Sequence, residues 1–143
     1  MRTSFDRAFE LTIGLEGKAT WDPRDPGGFT IFGLSSKYNP DVNPATTIEE
    51  AKVKYLERYW IPAGCDDQPY PMDICLFDSQ VNPQNDPKWA GGGNQEIMNL
   101  KPVNWQEYLI LRMLRYMRNS KREYVLGHLF RTLKLYQQIK GIL

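Results

Sequence analysis

The chain has 143 residues, 41% hydrophobic and 24% charged, enough for one packed core and too few for two. Its formal charge of +1 excludes a dedicated nucleic-acid domain, which would be basic overall. No apolar run reaches the roughly 18–20 residues that cross a bilayer, so stable membrane insertion is not expected.

The charge is unevenly spread. Residues 1–100 carry 9 Lys/Arg against 15 Asp/Glu, a net −6, and residues 101–143 carry 9 against 2, a net +7. The basic end suits attraction to a polyanion such as a cell wall, a membrane surface or the acidic front of a neighbour. Cys65, Cys75 and the single His128 fall short of a zinc ligand set without carboxylate help, and two cysteines do not make a disulfide-stapled scaffold. No metal and no cofactor is expected. Met1-Arg2-Thr3-Ser4-Phe5-Asp6-Arg7 enters charged helical pattern with no signal-peptide core, so synthesis in the cytoplasm is expected.

Phe5, Phe9 and Ile13 recur at four-residue spacing, with Ala8 and Leu15 widening the stripe, and predict a first helix that Gly17 can stop. Trp21-Asp22-Pro23-Arg24-Asp25-Pro26-Gly27-Gly28 followed by Phe29-Thr30-Ile31-Phe32-Gly33 reads as a small hairpin with a glycine-rich turn. Residues 35–46 read as irregular loop. Thr47-Ile48-Glu49-Glu50 is a capping box that opens a second helix running to Trp60. Met72 to Val81 predicts a short buried helix, and a fourth is expected near Asp86–Leu100 despite Gly91-Gly92-Gly93. Asn104-x-x-Glu107 caps a fifth helix carrying Trp105, Leu109, Met113 and Tyr116 on one side. Ser120-x-x-Glu123 caps a sixth carrying Leu126, Leu129, Phe130, Leu133 and Tyr136. The sum is one mostly α domain over residues 1–143, with six helices and one hairpin. Residues 1–100 form the portion that holds the chemistry, and 101–143 a basic helical portion.

Glu16 lies three residues after Ile13, near the apolar face of helix one and at its C-terminal end. Partial burial and the negative end of the helix dipole both favour its protonated form, which a general acid needs near neutral pH. Asp22, Asp25 and Thr30 sit on the hairpin that follows, close enough in sequence to fold back over it. An acid, a second carboxylate and a hydroxyl around one cleft suit glycosidic hydrolysis. The plainer reading is that Asp-Pro-x-Asp-Pro-Gly-Gly is turn chemistry alone and that Glu16 is solvated.

Glu16-Gly17, Asp22-Pro23, Asp25-Pro26-Gly27-Gly28, Thr30 and Gly33 resemble the signature of the glycoside hydrolase family 108 muramidases, a lysozyme-like family. The resemblance extends to Thr47-x-Glu49-Glu50-Ala51, Tyr59-Trp60, Phe77-Asp78, Val81-Asn82 and Gln95. The last third is similar to the peptidoglycan-binding region often attached to that family, through Arg112 to Tyr116 and Gly127, Leu129 and Arg131. Departures are Lys18 and Ala19 for the family's Gly and Tyr, His128 for a Trp, and Pro83 with Gly91–Gly93 near Gln95.

The resemblance implies an α+β lysozyme-like fold with a hairpin beside the cleft. It also implies a peptidoglycan hydrolase that cuts the β-1,4 bond between N-acetylmuramic acid and N-acetylglucosamine. Glu16 would be the acid, Asp25 the base or water-orienter and Thr30 an assisting hydroxyl. Asp22, Trp21, Phe29 and Asn82 are candidate sugar contacts, each also readable as turn, core or cap. Asp78, on a helix read as buried, suits a structural hydrogen bond, and Arg112, Arg115, Arg118, Lys121 and Arg122 a solvated face. A monomer acting on peptidoglycan in the periplasm or wall is expected, as in a phage endolysin released through a separate holin or pore. The alternative is a catalytically inactive peptidoglycan-binding or secretion-accessory protein of the same fold.

Overall fold

The computed structural model describes residues 2–16, 20–21, 28–82, 94–118 and 122–143. Helix α1 (Arg2–Glu16) runs into a three-stranded antiparallel sheet, β1 (Thr20–Trp21), β2 (Phe29–Ile31) and β3 (Leu34–Ser35), in that order. Helices α2 (Ile48–Tyr55), α3 (Met72–Val81), α4 (Asn94–Asn99), α5 (Trp105–Tyr116) and α6 (Arg122–Ile142) follow. The helices and the hairpin stand where the periodicity and the turn residues put them. The expected start of α4 and its glycine triplet, the Gly17 stop and the Ser120 cap lie outside the described residues.

The third strand is an addition to the expected hairpin. Ile31 pairs with Leu34, which leaves Phe32 and Gly33 as a two-residue turn with φ of 50° and 77°. Both residues are left-handed, the geometry that matches the twist of a tight hairpin. Phe32 is strained there, and the Tyr55 hydroxyl holds it by donating to the Phe32 carbonyl at 2.6 Å. Gly28, at φ 67°, has a second constraint, since a Cβ would meet Ser36 Oγ at 2.9 Å.

Helix α2 begins where Thr47 Oγ1 accepts from the Glu50 N–H. The five residues that follow it, Leu56–Trp60, continue as a wider π turn. The wider turn rephases the buried face, so Ala51 and Tyr55 are followed inward by Trp60, five residues on. Trp60 then reaches Phe5 and Phe77, with ring centroids at 5.3 and 5.6 Å. Phe9 and Phe77 close the cluster against Tyr55. The same core continues through Ile97, Trp105, Tyr108, Leu109, Leu135 and Ile139, so α4, α5 and α6 are packed onto α1–α3.

Two expectations are corrected on the last helices. Arg112 is completely buried instead of lying on a solvated face, because Asp78 of α3 waits beneath it. On α6 the buried residues are Thr132, Leu135 and Ile139, while Leu126, Phe130 and Leu133 face outward. Both stripes have helical spacing; the one chosen also brings Arg131 to Asp78. Cys65 and Cys75 are free and buried.

Candidate active site

Glu16 closes α1, and four residues later Thr20 starts the sheet by pairing with Thr30. Helix end and sheet are therefore joined by a connection too short to let them separate. Thr30 sits at the centre of β2, half-buried, between Thr20 and Ser35. Phe29 and Ile31 point to the other face by strand alternation. Ile31 enters the core, and Phe29 packs partly against it beside Val42 and Pro44. Trp21 pairs with Phe29 across the strands. Asp22 and Asp25 lie outside the described residues, as does Lys18.

Beside this sheet is a cavity of about 370 Å³, with Gly33 and Ser35 on one side and Gln80 and Val81, at the end of α3, on the other. Tyr38, Asn39 and Tyr59 complete it. Its lining of hydroxyl and amide groups around two phenol rings suits a saccharide, which needs hydrogen bonds at its edges and an aromatic surface for its apolar face. The walls are held firmly. Arg58 donates to Asn39 Oδ1 at 2.6 Å and to both oxygens of Asp41, and Lys54 donates to Asp41 at 2.6 Å. Hydrogen bonds from these two cations hold the Asp41 carboxyl well below the usual range. Gln80 accepts from Asn94 Nδ2 at 2.9 Å, which fixes its amide.

Tyr38 is the aromatic that the sequence reading missed, because it falls in a stretch without periodicity. Its one signal was an aromatic just before Asn39-Pro40, where a large exposed ring has no core to join.

Asn82 ends α3 on the opposite side of this cavity wall. It lines a second, larger groove of about 790 Å³ with Glu123, His128, Arg131 and Lys134 of α6. Its carbonyl accepts from the Tyr116 hydroxyl at 2.6 Å. Asp78, one turn earlier, accepts from Arg112 at 2.7 Å and Arg131 at 3.2 Å. Burial alone would push the Asp78 carboxyl up, but the two guanidiniums overcome it and hold it below its ordinary value. That is the structural role expected for Asp78. Among the described residues no group of three His, Cys, Asp or Glu side chains is placed to hold a metal ion.

Residues 9–83 match the family described as Glycosyl hydrolase 108, a span of more than half the chain. The chain belongs to this family. Glu16, Asp22, Asp25, Thr30 and Asn82 all fall inside the matched span. The fold is similar to the solved structure of SagA from Brucella abortus, at TM-score 0.73 and 19% identity, over 99% of this chain and 96% of that one. No curated protein sequence matches the chain. Membership of this family supports a peptidoglycan hydrolase of the lysozyme type. The family match stops at residue 83, yet α5 and α6 belong to the same packed core.

Proposed function

We propose that this chain is an N-acetylmuramidase that hydrolyses the β-1,4 bond between N-acetylmuramic acid and N-acetylglucosamine. The observation that carries this reading is the family match across Glu16, Asp25 and Thr30, combined with an α1 that ends at Glu16 and hands directly to the strand pair holding Thr30.

In this reading Glu16 gives its proton to the glycosidic oxygen as the bond from the muramic acid C1 breaks. A water attacks C1, and Asp25 takes the proton that the water loses, with the Thr30 hydroxyl helping to orient it. The glycan lies in the cavity between the sheet and the end of α3, where Tyr38 and Tyr59 offer ring faces and Asn39 and Gln80 offer amides. The enzyme works on the wall after passage through a separate pore.

The test is release of reducing ends from purified peptidoglycan, with turbidity clearing of outer-membrane-stripped cells, for wild type and Glu16→Gln. The variant keeps size and hydrogen bonding but cannot donate the proton. A fall of roughly 10²–10⁴-fold, the usual worth of a general acid, is expected. Equal activity in both would remove Glu16 from the mechanism. Binding to peptidoglycan with no hydrolysis in either would leave a wall-binding protein.

A further inference from the structure

Helix α3 is buried from Met72 to Ser79, and Gln80 is its first residue to emerge from the core. It emerges at the cavity of about 370 Å³ beside the sheet. That volume lies near the small end for a ligand pocket, which suits one sugar with its substituent better than a run of glycan.

Two amide side chains stand among the described residues of this cavity, and they are used differently. Asn39 is tied at both ends: Oδ1 accepts from Arg58 at 2.6 Å, and Nδ2 donates to the Ser35 carbonyl at 3.2 Å. Gln80 is tied at one end. Its Oε1 accepts from Asn94 Nδ2 at 2.9 Å, and its Nε2 has no acceptor among the described residues. Asn94 is buried, with its own Oδ1 unpartnered among the described residues, and it is not part of the cavity wall. With its oxygen drawn back to Asn94, Gln80 turns its NH2 group to the open side.

An NH2 group only donates, and a carbonyl oxygen only accepts. A sugar hydroxyl does both and brings a proton that needs a second partner. An acetamido group offers a carbonyl oxygen, together with a methyl group that needs apolar cover. Val81 follows Gln80 in the same wall, and the rings of Tyr38 and Tyr59 complete the cavity. A lone donor among apolar surfaces is the complement of an acetamido group.

We propose that Gln80 determines specificity by donating from Nε2 to the acetamido carbonyl of a sugar seated in this cavity. The proposal rests on the reading of the cavity as the glycan site and adds the contact by which an N-acetylated sugar is told from a plain one. Asn82, two residues on, lines the other groove.

The test is calorimetric binding of tetra-N-acetylchitotetraose beside cellotetraose, a neutral tetramer with the same linkage and hydroxyls in place of the acetamido groups. Hydrolysis of purified peptidoglycan is followed in parallel. Wild type should bind the acetylated tetramer roughly tenfold more tightly. Gln80→Glu keeps an acceptor for Asn94 and replaces the NH2 group by an oxygen. It should keep the wild-type melting temperature and the wild-type affinity for cellotetraose, and lose most of the preference for the acetylated tetramer. On peptidoglycan it should raise KM with kcat little changed. A uniform loss on both tetramers would make Gln80 a structural residue and overturn the proposal. Equal wild-type affinity for the two, failure to bind either, or an unchanged preference in Gln80→Glu would also overturn it. Failure of the hydrolase reading looks different: wild type would release no reducing ends, while the preference for the acetylated tetramer, and its loss in Gln80→Glu, would still be seen.

Discussion

Arg112 of α5 donates from Nη1 to Asp78 Oδ2 of α3 at 2.7 Å, and both side chains are sealed from solvent. The pair joins the helix that walls the proposed saccharide cavity to the basic C-terminal helices. It does not stand alone. Arg112 also donates to the Tyr116 hydroxyl, at 3.1 Å from Nε and 2.9 Å from Nη2, and that hydroxyl passes its own proton toward the Asn82 carbonyl. Arg131 supplies the second charge on Asp78.

Removing Arg112 takes the shorter of the two guanidinium contacts from a buried carboxylate and leaves it with Arg131 at 3.2 Å. Arg112→Leu should therefore destabilise the fold by about 3–5 kcal/mol. The double variant Asp78→Leu/Arg112→Leu should lose much less than the sum of the single changes, because neither charge is then stranded. Urea unfolding of the three variants measures this, and simple additivity would mean the two residues act independently.

Tyr116→Phe deletes only an oxygen, yet it removes the 2.6 Å bond to the Asn82 carbonyl and the acceptor of two Arg112 N–H groups. A loss of about 1–3 kcal/mol is expected. A change below about 0.5 kcal/mol in the unfolding midpoint analysis would show that water replaces the hydroxyl without penalty.

His128 gives the fold a pH dependence. Burial, helped by the charges of Arg112 and Arg131, lowers its imidazole from 6.5 to about 4. The ring lies flat on Tyr116, with centroids 4.5 Å apart. Between pH 6.5 and about 4 the unfolded chain takes up a proton that the folded chain refuses, so stability falls as pH falls through that window. Melting temperatures from pH 7.5 to 4 should drop more steeply for wild type than for His128→Gln. Asp78 acts lower: its folded carboxyl titrates below the ordinary 3.8, so its contribution is present above that value and is lost only in stronger acid. Identical pH slopes in the two proteins would rule out His128 as the source.

Cys65 and Cys75 are buried without a disulfide, and burial pushes both thiols up, out of the reactive range. Neither should react with a thiol reagent in the native protein at pH 8, and both should react in denaturant. Rapid labelling before unfolding would mean that the core around α3 opens readily.

The amino-acid sequence by itself placed the elements. Apolar spacing located the helices, Thr47 and Asn104 set two starts through their own side chains, and the glycine-rich turn announced the sheet. These are local signals, since a cap or a turn is decided by residues within a few positions. The motif from Glu16 to Gly33 pointed to the hydrolase family for the same reason: it is contiguous. What the tertiary structure decided is which side of each helix is used. Arg112 read as surface because the carboxylate it pairs with, Asp78, lies 34 positions away. Tyr38 read as loop because the cavity it borders is completed by Tyr59 and Gln80 from other elements. On α6 two stripes of equal period competed, and period says nothing about which will meet a partner. The core took Thr132, Leu135 and Ile139, leaving Leu126, Phe130 and Leu133 to the outside.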